Sequence, residues 1–107
     1  MDIEYVDKEE FIEELGKMVD PNVPLRELEV EDERYIRALM RSISIEGLRG
    51  PILITSRKDG TKYIYDGHHR LLALKKLGRR KAPVVYGSYE ELQPWLEKQF
   101  NLWNRRL

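Results

Sequence analysis

The chain has 107 residues, enough for one domain that buries a core without metal or disulfide bonds. It contains no cysteine, which excludes disulfides, thiol nucleophiles and cysteine-based metal sites. Its 19 basic and 19 acidic residues cancel, unlike the basic excess of proteins that coat nucleic acid. The N-terminus is acidic, and no apolar run approaches the ~20 residues of a membrane span, so we expect a cytoplasmic chain without membrane contact.

The first half of the chain is predicted to form two helices and one short strand. Apolar residues at helical spacing predict a helix over residues 8–19, which Asp20-Pro21-Asn22 ends. Residues 23–25 are expected to form a short edge strand. The spacing then predicts a second helix over residues 32–46, with Gly47 at its C-terminal end.

The second half is predicted to form three strands and two helices. The strands are placed at residues 51–55, 62–65 and 83–86, with a hairpin turn at Asp59-Gly60, and the helices at residues 70–77 and 88–104. The prediction is therefore one α+β domain over residues 1–107, a small mixed β-sheet with packed helices. Its core spans residues 23–86, followed by the C-terminal helix 88–104, whose aromatic residues Trp95, Phe100 and Trp103 favour a core or a homodimer contact.

The segment Asp66-Gly67-His68-His69-Arg70 stands where a strand is expected to end and a helix to begin. The first turn of a helix has unpaired N–H groups and a partial positive charge. Gly67 lets an anion approach the backbone closely, and Arg70 adds a permanent charge suited to phosphate oxygens. This pattern favours a phosphate-binding site at the helix start, formed by the turn from Asp66 to Arg70 and called the phosphate seat below.

A structural alternative for the same segment has no ligand. Asp66 would cap the helix, Arg70 would pair with a surface carboxylate, and both histidines would be incidental. A metal site built by the protein is not predicted, because adjacent histidines point apart on a helix and no His-x-x-x-His spacing exists. A magnesium ion would arrive with a nucleotide instead.

The segment Asp66 to Arg70, followed by Leu74-Lys75-Lys76-Leu77-Gly78, resembles the signature of the ParB/sulfiredoxin superfamily. Residues 23–28 resemble the opening strand of that family, and residues 46–52 resemble its helix, glycine, proline and strand sequence. The resemblance extends in order over residues 23–86 and implies a ParB/sulfiredoxin-like fold.

The resemblance implies nucleotide chemistry of more than one kind. Sulfiredoxins use ATP to repair an oxidised cysteine with a cysteine of their own, which this chain lacks. ParB proteins bind CTP and DNA. The residues of this motif, together with Lys81-Ala82-Pro83 before the last strand, are most similar to those of the archaeal ADP-dependent free serine kinases.

The site implied by the resemblance holds ATP or ADP with Mg²⁺. Glu29 falls near the glutamate that acts as the base in the serine kinases, and Asp66 or Glu29 would orient or deprotonate the acceptor. His69 and Arg70 would stabilise charge on the transferring group. The expected nucleotide-binding set is Gly67, His68, His69, Arg70, Arg37, Arg41 and Ser42, and the expected catalytic set is Asp66, His69 and Glu29.

The expected function is that of an NTPase or phosphotransferase that uses ATP or ADP on a small-molecule or protein acceptor. The alternative is a ParB-like DNA-associated protein, either a binder switched by nucleotide or a metal-dependent nuclease. For DNA we predict only weak, salt-dependent association through the basic cluster Lys75, Lys76, Arg79, Arg80 and Lys81. The competing reading of that cluster is a solvated helix end.

Overall fold

The computed structural model describes residues 8–48 and 50–104, with side chains up to residue 99. The elements in chain order are β1 Glu9–Phe11, α1 Ile12–Lys17, α2 Leu25–Glu31, α3 Glu33–Glu46, β2 Ile52–Ser56, β3 Lys62–Asp66, α4 His68–Lys76, β4 Lys81–Tyr86 and α5 Tyr89–Asn104. This is a mixed α+β architecture, as the sequence predicted.

A four-stranded mixed sheet in the order β1-β4-β2-β3 forms the centre of the fold. β2 and β4 run parallel, whereas the β1–β4 and β2–β3 pairs are antiparallel. Ile52 is paired with Val84, and a register shift in β2 pairs Leu53 with Asp66. The end of β3 therefore lies beside the start of β2, and this position sets where the following turn and α4 begin.

The core lies between the sheet and the helices α1, α3 and α4. Ile52, Ile54, Ile64 and Val84 supply the apolar residues of the strands, and all four are almost fully buried in one cluster with residues of the three helices. Burying such a side chain contributes about 1.5–3 kcal/mol relative to leaving it exposed. The core therefore holds α3 and α4 firmly against the sheet and against each other.

α5 is joined to the sheet by a buried polar contact. The Gln99 side chain is almost fully buried, and its Nε2 donates a 2.8 Å hydrogen bond to the backbone carbonyl of Pro51, directly before β2. The side chains of Phe100 and Trp103 lie outside the described residues. The homodimer contact predicted for this helix stays a prediction.

Two elements near the N-terminus differ from the sequence prediction. The start of the predicted helix 8–19 is β1, because Glu9 and Phe11 pair with Pro83 and Lys81 of β4 and thereby gain a ladder of backbone hydrogen bonds. The predicted strand at residues 23–25 was also wrong, since helix α2 starts at Leu25 and Leu28 N–H bonds to the carbonyl of Pro24. Proline suits a helix start because the missing N–H would have no partner there.

The remaining elements follow the prediction closely. α3 ends at Gly47, whose φ of 81° is easily adopted only by glycine. α4 begins at His68, two residues earlier than predicted, which brings both histidines into its first turn. Within the part of the chain that the structure describes, none of the helices has the length and apolar character needed to cross a bilayer.

Candidate phosphate-binding site

The turn between β3 and α4 leaves the start of the helix uncapped. Gly67 is the N-cap residue, with φ 116° and ψ 15°, and among the described residues no side-chain cap bonds to the first-turn N–H groups. Asp66 is therefore not a helix cap, contrary to the structural alternative. A Cβ at Gly67 would lie 3.2 Å from both Arg70 Nη2 and Ile52 Cγ1, so a larger residue would be strained at this φ and its neighbours would have to shift slightly.

Arg70 is buried beneath this turn. Its side chain is 4% exposed, and its Nη2 donates a 2.8 Å hydrogen bond to Oδ2 of Asp66. Nε and Nη1 have no hydrogen-bond partner among the described residues. Burial lowers the pKa of Arg70, but an arginine keeps its charge in a protein. Arg70 therefore pairs with the partly exposed carboxylate of Asp66, in line with the structural alternative, but its guanidinium is enclosed and keeps two donor nitrogens without a partner among the described residues.

His68 places a further unpaired nitrogen at the same turn. Its Nε2 is buried and has no hydrogen-bond partner in the described structure. Burial lowers the pKa of His68 from the ordinary value of 6.5, because the charged ring is harder to solvate there. The ring is therefore neutral around pH 7.

We expect titration of the His68 ring signals by NMR, assigned with His68→Gln, to show a midpoint below 6.5. The unfolded chain takes up this proton near the ordinary value, before the folded protein does. Lowering the pH through that window therefore destabilises the folded state, and this part of the pH dependence disappears in His68→Gln. A midpoint above 6.5 would contradict the burial of this ring.

The second histidine of the motif contacts α3. Nε2 of His69 lies 2.8 Å from Oδ2 of Asp32, the residue that precedes α3. The ring of Tyr35 meets the His69 ring edge-on, with centroids 5.0 Å apart and planes at 74°. The sequence shows Asp32 only as one of several acidic residues before a helix. Its pairing with His69, 37 positions away, arises only from packing.

Glu29 contacts the C-terminal end of α4. Its carboxylate is 2.5 Å from Nζ of Lys76, the last residue of the helix, whereas the phosphate seat is at the first residue. Nine helical residues separate these two ends by about 12 Å along the axis. The hydrogen bond from Lys76 lowers the pKa of Glu29, which makes this carboxylate a weaker base. As a base, Glu29 stays a prediction without support from this geometry.

The three residues of α3 that are expected to bind nucleotide differ in the contacts that they make. Arg37 forms an exposed ion pair with Glu33 at 2.6 Å, one helical turn away. The Ser42 hydroxyl is 3.5 Å from a carboxylate oxygen of Glu46, and Arg41 is exposed. Their roles as nucleotide ligands stay predictions.

Two further predictions concern a metal ion and DNA. Among the described residues, no group of three or more acidic or histidine side chains is arranged to hold a metal ion. That Mg²⁺ arrives with a nucleotide stays a prediction. In the basic cluster, Lys76 is paired with Glu29, and Lys81 lies 4.7 Å from the ring centre of Phe11. The ion pair with Glu29 offsets one charge of the cluster, and DNA binding remains untested.

Comparison with known proteins points to one family. The sequence model of the ParB N-terminal domain matches residues 7–94. Sulfiredoxin from Arabidopsis thaliana is 31% identical with a TM-score of 0.55, and the alignment covers 83% of this chain and 94% of that one. The chain is also similar to the free serine kinase solved in complex with AMP, with 23% identity and a TM-score of 0.53, which shows a shared fold.

A kinase from Staphylococcus aureus (strain NCTC 8325 / PS 47) shows sequence similarity over a shorter stretch. This ATP-dependent L-serine kinase, SbnI, is 36% identical over an alignment of 59 residues, and the match covers 52% of this chain. The chain spans about a quarter of the length of that kinase, 23%, and about a third of the free serine kinase, 34%. The fold is thus one that kinases using nucleotide share.

Proposed function

Because this chain belongs to the ParB N-terminal domain family, we propose that it binds the phosphates of ATP or ADP on the turn from Asp66 to Arg70. The bound nucleotide then donates its terminal phosphoryl group to an acceptor or to water. Nucleotide phosphates fit the chemistry of this turn, which offers donors and positive charge without a competing side-chain cap.

One observation carries this proposal. The uncapped start of the nine-residue helix α4 lies directly above a buried guanidinium with two unpartnered nitrogens. An unpaired buried donor costs about 1–3 kcal/mol, so a structure retains such groups where they serve a further partner. Phosphate oxygens accept hydrogen bonds from backbone N–H groups and from guanidinium nitrogens alike.

The relatives suggest which ligands to test first. SbnI is named as an ATP-dependent L-serine kinase, and the free serine kinase was solved with AMP. Adenine nucleotide is therefore the first ligand to test, and L-serine the first acceptor. The chemistry of sulfiredoxin is not proposed, because this chain has no cysteine to carry it.

We expect ATP or ADP to raise the unfolding temperature of the purified chain, and to do so more strongly with Mg²⁺ present. A ligand at about 100 times its Kd stabilises the folded state by about 2.7 kcal/mol. For a domain of this size that corresponds to a shift of roughly 10 °C or more. Differential scanning fluorimetry with each nucleotide, with and without Mg²⁺, measures this directly.

Other nucleotides in the same screen serve as controls. Adenosine without phosphate is expected to have a much smaller effect, since the proposed contacts are to phosphate. Stabilisation by CTP alone would favour a ParB-like switch over a kinase. No shift with any nucleotide, together with no binding by calorimetry, would contradict the proposal.

A further inference from the structure

His69 and Asp32 form a pair that connects the starts of two helices. Nε2 of His69 is 2.8 Å from Oδ2 of Asp32, and the two side chains are 33% and 41% exposed. The edge of the Tyr35 ring limits rotation of the imidazole from a second side. A histidine so held is oriented by its neighbours yet still reaches solvent beside the phosphate seat.

The carboxylate decides which ring nitrogen carries the proton. A carboxylate is only an acceptor, so the neutral imidazole must keep its hydrogen on Nε2 to bond with Asp32. Nδ1 then carries the lone pair and is the nitrogen able to take up a proton.

Resting on the proposed function, we infer that Asp32 is a positioning residue that holds His69 as the general base of phosphoryl transfer. Nδ1 of His69 accepts the proton of the acceptor hydroxyl while the hydroxyl oxygen forms a bond to the terminal phosphorus of the nucleotide. The bridging P–O bond breaks, and its electron pair leaves with the shortened nucleotide. The proton on His69 is released to solvent afterwards.

The other acidic candidates are committed elsewhere in this structure. Asp66 accepts the hydrogen bond of the buried Arg70 guanidinium. Glu29 is bonded to Lys76 at the far end of α4. The Asp32–His69 pair lies at the first turn of α4, where phosphate is proposed to bind, and is the candidate acid–base pair there.

Asp32→Asn is the informative variant, because it keeps the size of the side chain and removes the charge. The asparagine amide can donate to Nε2, so the ring is no longer held with its proton there. Long-range ¹H–¹⁵N NMR spectra are expected to show the Nε2–H tautomer of neutral His69 in the wild type and its loss in Asp32→Asn. Glu31→Gln removes a charge from the exposed neighbouring position and is expected to leave the tautomer unchanged.

Kinetics with ATP and L-serine or water as acceptor complete the test. General bases contribute about 100- to 10,000-fold, so His69→Gln is expected to lower kcat in that range, and Asp32→Asn by at least about 10-fold. The nucleotide Kd should change less than about 2-fold in Asp32→Asn. In the double variant, Asp32→Asn should add no further loss to His69→Gln.

The outcomes separate this inference from the proposed function. Unchanged turnover in Asp32→Asn, or an Nδ1–H tautomer in the wild type, would overturn the inference while nucleotide binding and turnover still support the function. Wild-type protein that binds nucleotide but never turns it over would overturn the base role. Failure to bind any nucleotide would overturn the proposed function itself, and the base role with it.

Discussion

Gly67→Ala is expected to lower the affinity for ATP at least ~10-fold, equivalent to about 1.4 kcal/mol. The backbone at this position has φ 116°, where an alanine is strained, and the added Cβ would press on Arg70 Nη2 and Ile52 Cγ1 at 3.2 Å. The strain costs of order 1–3 kcal/mol and is relieved by moving the turn that would cradle phosphate. Isothermal titration calorimetry with ATP measures the affinity, and thermal unfolding reports the strain.

Gly78→Ala is the matched control for this experiment. Gly78 also has a positive φ, 73°, but lies beyond the other end of α4, and a Cβ there would have no neighbour within 4 Å. We expect it to destabilise the fold by about 1–2 kcal/mol and to leave nucleotide affinity unchanged. Equal loss of affinity in both variants would show that general destabilisation, rather than the turn at Gly67, is responsible.

Arg70→Met is expected to weaken nucleotide binding by roughly 10- to 150-fold, from the about 1.5–3 kcal/mol of a hydrogen bond to a charged group. Methionine fills much of the same buried space without donors. Removing one partner of an ion pair is costly where the other charge stays buried, but the Asp66 side chain is 39% exposed and water can solvate it. We therefore expect a folded variant whose defect is in binding, measured by calorimetry beside thermal unfolding.

Arg57→Met provides the comparison for that substitution. Arg57 is also paired with a carboxylate, that of Asp20 at 2.9 Å, but it lies on the hairpin side of the sheet and is far more exposed. Its replacement should leave nucleotide affinity unchanged. If a folded Arg70→Met variant bound ATP as tightly as wild type, the buried guanidinium would be a purely structural group.

The burial of Arg70 would lower the free-energy cost of binding phosphate. A guanidinium that is already enclosed needs no further desolvation when an anion arrives, and its position is set in advance by Asp66. If phosphate binds at this turn as proposed, and the turn opens enough to reach them, the unpaired nitrogens would gain partners. A surface arginine, by contrast, would have to be ordered at the moment of binding, with a loss of side-chain entropy.

Local signals in the sequence were sufficient for several parts of this fold. Asp59-Gly60 marked the hairpin between β2 and β3, and Gly47 marked the end of α3. Gly67 was placed at a strand-to-helix junction, and its φ of 116° is one that glycine adopts easily. These features are encoded by neighbouring residues, because turn glycines and helical apolar spacing act over a few positions.

Contacts between distant residues decided the rest. β1 exists because β4 offers it a partner, although the apolar spacing around it is helical. The sequence supplies an arginine, two histidines and several acids, but only packing buries Arg70, joins His69 to Asp32 and ties Glu29 to Lys76. Such pairings depend on how α3 and α4 cross on the sheet. The residue types that favour phosphate binding are therefore visible in the sequence, whereas tertiary structure decides which acidic residue lies beside His69 and which beside Arg70.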